Sequence, residues 1–204
     1  MKLGVVIPTI YRSTLDSAVN SAVAAKFDEI IIIDDSGEEH EYEPQSPQIR
    51  YFKLGRNFGR LHGKLYYGQI ALSVGNYLST SDFLGQLGDD DEYVPESRQI
   101  LENAIKKQPN IDIWIPGLVY NNGHQRCLTP GLYHGNVSHA IYKPEIFAFA
   151  PMFHNTDISS FIAAHDYYHL LLCEEKGYRI GWLNEVCIKV RPNLPGSHGS
   201  GDDG

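Results

Sequence analysis

Two uninterrupted apolar runs constrain this chain more than any other feature. Residues 3–8 read LGVVIP and residues 29–34 read EIIIID. A strand that is apolar at every position, rather than at alternate ones, is buried on both faces, as in a parallel sheet covered by helices. Between the runs, Ser13 stands three residues before Asp16, a helix-start pattern with Asp in place of the usual Glu or Gln. Leu15, Ala18, Val19, Ala22 and Val23 then line one helical face. Strand, helix and strand within about 35 residues make a βαβ unit, and its crossover is expected to be right-handed.

The same alternation predicts strands over 49–54, 83–87, 111–115, 137–142, 178–183 and 186–190. It predicts helices over 61–74, 97–107 and 162–176. Pro95 suits the first turn of the middle helix, and Gly177 is placed to cap the last. With 204 residues, 42% of them hydrophobic, one core is enough. The expectation is a single α/β domain over residues 1–191, Rossmann-like, with a mostly parallel central sheet flanked by helices. A Gly, Ser and Pro-rich tail over 192–204 is expected to be mobile.

Charge and composition remove whole classes of function. Seventeen Lys and Arg against 25 Asp and Glu give −8, which disfavours broad electrostatic binding to nucleic acid and so disfavours DNA as an acceptor. The longest aliphatic run, residues 30–33, is far too short for a transmembrane segment. The first residues lead into a strand without a signal-peptide cleavage pattern. Cys127, Cys173 and Cys187 form no CxxC and leave one thiol unpaired in any intramolecular scheme, so buried thiols in a reduced, cytoplasmic protein are expected.

The chemistry is carried by the residues just past the strands. In open parallel sheets, ligands sit beyond the carboxyl ends of the strands. Here those ends read Pro8-Thr9, Asp34-Asp35-Ser36 and Gly88-Asp89-Asp90-Asp91. Taken singly, Asp-Asp-Ser-Gly is an ordinary turn, and a run of acids suits a helix N-terminus. Together they form a negative hole that repels bare phosphate. A divalent cation bridging protein and diphosphate resolves that repulsion, and hard oxygen donors favour Mn²⁺ or Mg²⁺. Neither GxGxxG after the first strand nor GxxxxGK[ST] is present, which disfavours a Rossmann dehydrogenase or a P-loop NTPase.

Val5-Val6-Ile7-Pro8-Thr9, Ile32-Ile33-Asp34-Asp35-Ser36, Gly88-Asp89-Asp90-Asp91 with Pro95-Glu96, and Ala164-His165-Asp166 occur in that order. In this the chain resembles the family 2 glycosyltransferases of GT-A fold. The resemblance implies a sugar transferred from a nucleotide diphosphate, most often UDP, to an acceptor hydroxyl with inversion. It implies that Pro8, Thr9, Tyr11, Arg12 and Asp35 hold the uracil and ribose of a UDP-sugar donor, and that Asn57, Gly59 and Arg60 lie along the nucleotide. Asp89-Asp90-Asp91 corresponds to the metal motif in one of two registers. Either Asp89 takes the ribose or sugar and Asp90 the metal, or Asp89 and Asp91 form a literal D-x-D. Asp90 and Asp91 are the metal candidates, joined by His198, which stands beyond Arg191-Pro192-Asn193 where the family often has Arg-x-His. Asp166 corresponds to the base that takes the acceptor's proton, and His165 replaces the usual Glu before it.

Other readings share these residues. His165 and His169 stand at i and i+4 on a helix, as in zinc hydrolases. Asp166 would then occupy the place of the Glu base, and the third ligand would be His134, His139 or His198. Alternatively His169 is simply a helix residue facing the core. A nucleotide-sugar-binding or nucleotidyltransferase relative could share the fold without the transfer reaction. Tyr66, Tyr67, Tyr167 and Tyr168 fit either sugar stacking or a core position with a wet hydroxyl.

Overall fold

The computed structural model describes residues 1–58, 69–126, 139–146 and 162–190, with the backbone alone for residue 69 and residues 162–168. In chain order the elements are β1 (Leu3–Thr9), α1 (Leu15–Ala24), β2 (Glu29–Asp34), β3 (Ile49–Lys53), α2 (Gln69–Leu78), β4 (Phe83–Gln86) and β5 (Glu92–Tyr93). Next come α3 (Ser97–Lys107), β6 (Ile113–Tyr120), β7 (Gln125–Arg126), β8 (Ile141–Tyr142), α4 (Ile162–Glu175) and β9 (Ile180–Val190). Eight strands run β3-β2-β1-β4-β8-β6-β9-β5 across one sheet, and β7 pairs with β6.

The first half is built on the apolar runs. β1, β2, β3 and β4 are mutually parallel where they pair, and every residue of β2 is buried. Successive side chains leave opposite faces of a strand. Leu3, Val5, Ile7, Ile30 and Ile32 accordingly join the larger core with α1 residues Leu15, Ala18, Val19 and Ala22. Val6, Ile31 and Ile33 form a second core with Ala71 and Leu72 of α2. α2 crosses close to the sheet at Gly75, where a Cβ would lie 2.4 Å from Val6 Cγ1. Pro8 is tolerated inside the sheet because of where its missing N–H would point. Leu87 N donates to Val6 O, the last rung of the β1–β4 ladder. Pro8, two residues on, faces the same side past that ladder's end.

The second half overturns the expectation of a mostly parallel sheet. β8 is antiparallel to β4 and β6, β5 is antiparallel to β9, and β7 is antiparallel to β6, while β6 and β9 run parallel. The sheet is mixed. The two strands expected over 178–183 and 186–190 are one strand, β9, and the gap between them is an irregularity. Ile115 faces Trp182, but Gly117 faces Val186, so residues 183–185 bulge opposite Pro116. That bulge lets β6 continue through Pro116, where the expected strand over 111–115 stopped. Helix α1 begins after Thr14, which makes no side-chain cap, so the Ser13 pattern marks the helix but not its cap. Helix α2 spans Gln69–Leu78. The expected helix over 61–74 lies partly outside the described residues, as do residues 137–138 of the strand expected over 137–142 and the tail over 192–204. Gly177 ends α4 at φ +87° as expected. No helix among the described residues is long and apolar enough to cross a membrane.

The amino end of β2 is tied down by a buried carboxylate. Glu29 accepts hydrogen bonds from Arg50 Nη1 at 2.9 Å, Ser79 Oγ at 2.9 Å, Thr80 N at 3.0 Å and Ser81 Oγ at 2.8 Å. Burial alone would raise its pKa. The Thr80 N–H, the Ser81 and Ser79 hydroxyls and Arg50 outweigh burial and hold it down to about 2. A carboxyl depressed by folding contributes stability in full above its unfolded value and loses it as pH falls through the folded value. Glu29→Gln should therefore destabilise the fold by about 2–3 kcal/mol at neutral pH. Chemical denaturation of both proteins across pH should find that difference intact above about pH 4.5 and shrinking as pH approaches about 2.

Candidate functional site

The carboxyl ends of β1, β2 and β4 lie side by side. Thr9 pairs with Asp34 in the β1–β2 register, and Asp35 N donates to Thr9 O at 2.7 Å. After β4 the chain turns through Gly88, with Asp91 N donating to Gly88 O at 3.1 Å, before entering β5. Parallel pairing thus delivers the polar ends of three strands to one edge, as the sequence implied.

Asp89 is the centre of this edge. Its Oδ2 accepts the Thr9 hydroxyl at 2.7 Å and its Oδ1 accepts Arg12 Nη1 at 2.6 Å. Burial raises its pKa most, the Arg12 guanidinium and the Thr9 hydroxyl pull it down, the Asp90 charge pushes it up, and the net direction is upward. Arg12 Nη1 also lies 3.5 Å from Asp90 Oδ2. One guanidinium therefore offsets two neighbouring carboxylates. Asp90 and Asp91 fold back over Gly88. A Cβ there would lie 3.0 Å from Asp90 Oδ1 and 2.8 Å from Asp91 Oδ2. Only glycine leaves that space for the two carboxylates.

Asp91 is held from across the sheet. His139, just before β8, places Nε2 2.6 Å from Asp91 Oδ2, and both side chains are buried. Sequence reasoning singled out His139 only as a candidate zinc ligand. A lone His ahead of a two-residue strand carries no signal for this partner.

Thr9 Oγ1 accepts the N–H of Tyr11 at 2.7 Å. Tyr11 is one of two non-glycine residues with positive φ among the described residues, at +63°, a conformation that costs a non-glycine residue on the order of 1–3 kcal/mol and clusters at functional sites. Its ring stacks on His40 at 4.0 Å and 6°, and its hydroxyl donates to Glu41 O at 2.8 Å. The loop after β2 is thereby folded against the end of β1. Asp35 Oδ1 accepts the Phe58 N–H at 2.6 Å. A Cβ on Gly37 would lie 2.6 Å from Asn57 N. The loops after β2 and β3 therefore meet beside Asp35 and bring Asn57 to the same edge. Asp34 points elsewhere: Tyr51 Oη donates to it at 2.6 Å. Burial first, and then this hydrogen bond to Asp34, raise the Tyr51 hydroxyl's pKa.

Pro8, Thr9, Tyr11, Arg12, Asp35, Asn57, Asp89, Asp90 and Asp91 thus share one region. Gly59, Arg60, His198, His134 and Cys127 lie outside the described residues, as do the side chains of His165 and Asp166, whose backbone sits in the first turns of α4. His169 is buried, with Nε2 3.6 Å from Cys173 Sγ and the ring edge-on to Tyr142 at 5.9 Å. It takes the core position of the plainer reading. Burial pushes the Cys173 thiol up to about 11 and the Cys187 thiol up to about 12, so both are inert packing residues.

No protein-family model and no curated protein sequence matches the chain. Solved structures do match it in fold. S. aureus TarS 1–349 superposes with a TM-score of 0.65 at 16% identity, over 93% of this chain and 60% of that one. The same protein in complex with UDP-GlcNAc gives 0.61 at 14% identity, over 93% and 58%. The mannosyltransferase PcManGT from Pyrobaculum calidifontis, in complex with GDP-Man and Mn²⁺, gives 0.61 at 14% identity, over 96% and 58%. This chain spans about three fifths of the length of these structures, at 60% and 58%. At such identities the likeness is one of fold.

Proposed function

We propose that this chain is the GT-A donor-binding domain of a family 2-like glycosyltransferase, moving a sugar from a nucleotide diphosphate, with UDP the expected nucleotide, to an acceptor hydroxyl with inversion. The observation that carries the reading is the gathering of Thr9, Arg12, Asp35, Asp89, Asp90 and Asp91 at the carboxyl ends of three adjacent strands. The fold likeness to UDP-GlcNAc and GDP-Man complexes supports a nucleotide-sugar donor. Pro8, Thr9, Tyr11, Arg12 and Asp35 would hold the nucleoside, and Asn57, Gly59 and Arg60 would lie along the nucleotide.

The donor set fits a divalent cation of the Mn²⁺ or Mg²⁺ type. Asp90 and Asp91 turn hard carboxylate oxygens over one glycine. Among the described residues no group of three or more His, Cys, Asp or Glu is arranged to hold an ion alone. A metal of this type takes one or two carboxylates and completes its shell with substrate phosphates. Asp89 is engaged by Thr9 and Arg12 and Asp91 by His139. This favours the register with Asp89 toward the ribose or sugar and Asp90 as principal ligand, with Asp91 and His198 as further donors. A bound cation would stabilise charge on the departing diphosphate. Asp166, in the second turn of α4, would take the proton of the acceptor hydroxyl on the opposite side of the sugar.

Asp90→Asn removes charge without changing size and should abolish Mn²⁺-dependent UDP binding measured by calorimetry, while Asp91→Asn should be milder. The reverse ranking would establish the D-x-D register, and unchanged binding in both would remove the metal site. Asp166→Asn should leave donor affinity intact while transfer falls by about 10²- to 10⁴-fold, the span of a lost general base. Near-normal turnover with a lowered melting temperature would assign Asp166 to helix stability instead.

A further inference from the structure

We propose that His139 is a positioning residue for the acidic turn, holding Asp91 so that Asp90 is presented to the donor's cation; this rests on the function proposed above. The two residues are 48 apart in sequence, and the Nε2 to Oδ2 separation is 2.6 Å. Residue exposure is 5% for each, so this is a buried polar contact rather than a surface pairing. With Asp91 ionised, the Nε2–H donates and Oδ2 accepts. That same Oδ2 lies over Gly88, beside Asp90 Oδ1. The anchor therefore acts at the point where the two carboxylates come together.

The turn from Gly88 to Asp91 has a fixed partner at each end. Asp89 is tied to Thr9 and Arg12 on β1's side, and Asp91 is tied to His139 on β8's side. Asp90 stands between these anchors, 3.5 Å from Arg12. A carboxylate so placed is oriented by its neighbours' hydrogen bonds rather than by its own. Partners of this outer kind hold a ligand-bearing segment in shape. Without His139, Asp91 would lose this buried contact from β8's side, and the turn would lose its tie to that side of the sheet.

The test is Mn²⁺ binding and UDP binding, with Mn²⁺ or with EDTA, by calorimetry on the full chain. His139→Ala should weaken Mn²⁺-dependent UDP binding by roughly 10- to 100-fold while UDP binding in EDTA stays the same. His139→Gln, whose amide N–H reaches about as far as Nε2, should restore most of the loss, and the shorter His139→Asn should not. In an Asp91→Ala background, His139→Ala should add no further loss. A lowered melting temperature with unchanged Mn²⁺ dependence would make His139 a packing residue and overturn the inference. So would additive losses in the double variant. If His139→Ala does not fold, the Gln and Asn pair decides the question through the same ratio. A wild-type protein that binds UDP equally in Mn²⁺ and EDTA would overturn the metal reading itself, a result distinct from either failure of His139.

Discussion

The acidic edge of the sheet is organised around one buried carboxylate. Asp89 has been taken out of water, at a cost that would neutralise it if it stood alone. Thr9 and Arg12 supply the donors that keep it paired. Because those donors come from the end of β1 and the loop after it, the pairing fixes where that loop runs. The loop in turn sets Tyr11, and Tyr11 sets the segment after β2. A chain of local requirements starting from one desolvated charge thus fixes the geometry of three loops.

The two ends of the parallel strands solve the same electrostatic problem differently. At the amino end, Glu29 is surrounded by hydroxyls, an N–H and Arg50, and its pKa falls. At the carboxyl end, burial raises the pKa of Asp89, the donors from Arg12 and Thr9 do not fully offset it, and the Asp90 charge adds to the rise. One end is saturated with donors and serves the fold. The other is short of positive charge for the number of acids it gathers, and a cationic or metal-bridged ligand would relieve that shortfall.

Much of this was legible in the residues. The runs over 3–8 and 29–34 needed both faces covered, and they became adjacent strands between two cores. The acidic strand ends were equally plain, because strand ends are given once strand positions are known. Strand direction was not readable in the second half, where β6 is an apolar run like β1 yet pairs in parallel with β9 and antiparallel with β7 and β8. β5 and β7 are two residues each and too short for any periodicity. The break in β9 was seen, but as a gap between strands, because a bulge and a turn use similar polar residues. Arg12 and His139 reach their aspartates over 77 and 48 positions, and sequence spacing carries no information at that range.

Tyr11 carries a consequence of its own. Its left-handed backbone is uphill for a residue with a side chain, and it is retained by bonds to Thr9, Glu41 and the His40 ring. Two of those three partners belong to the loop after β2. The residue is thus a latch under tension, and the loop is its catch. Lifting the loop would let Tyr11 relax, and relaxing Tyr11 would remove what holds the loop down. Tyr11 and the loop after β2 thus hold one another in place, beside the edge where the acidic residues gather.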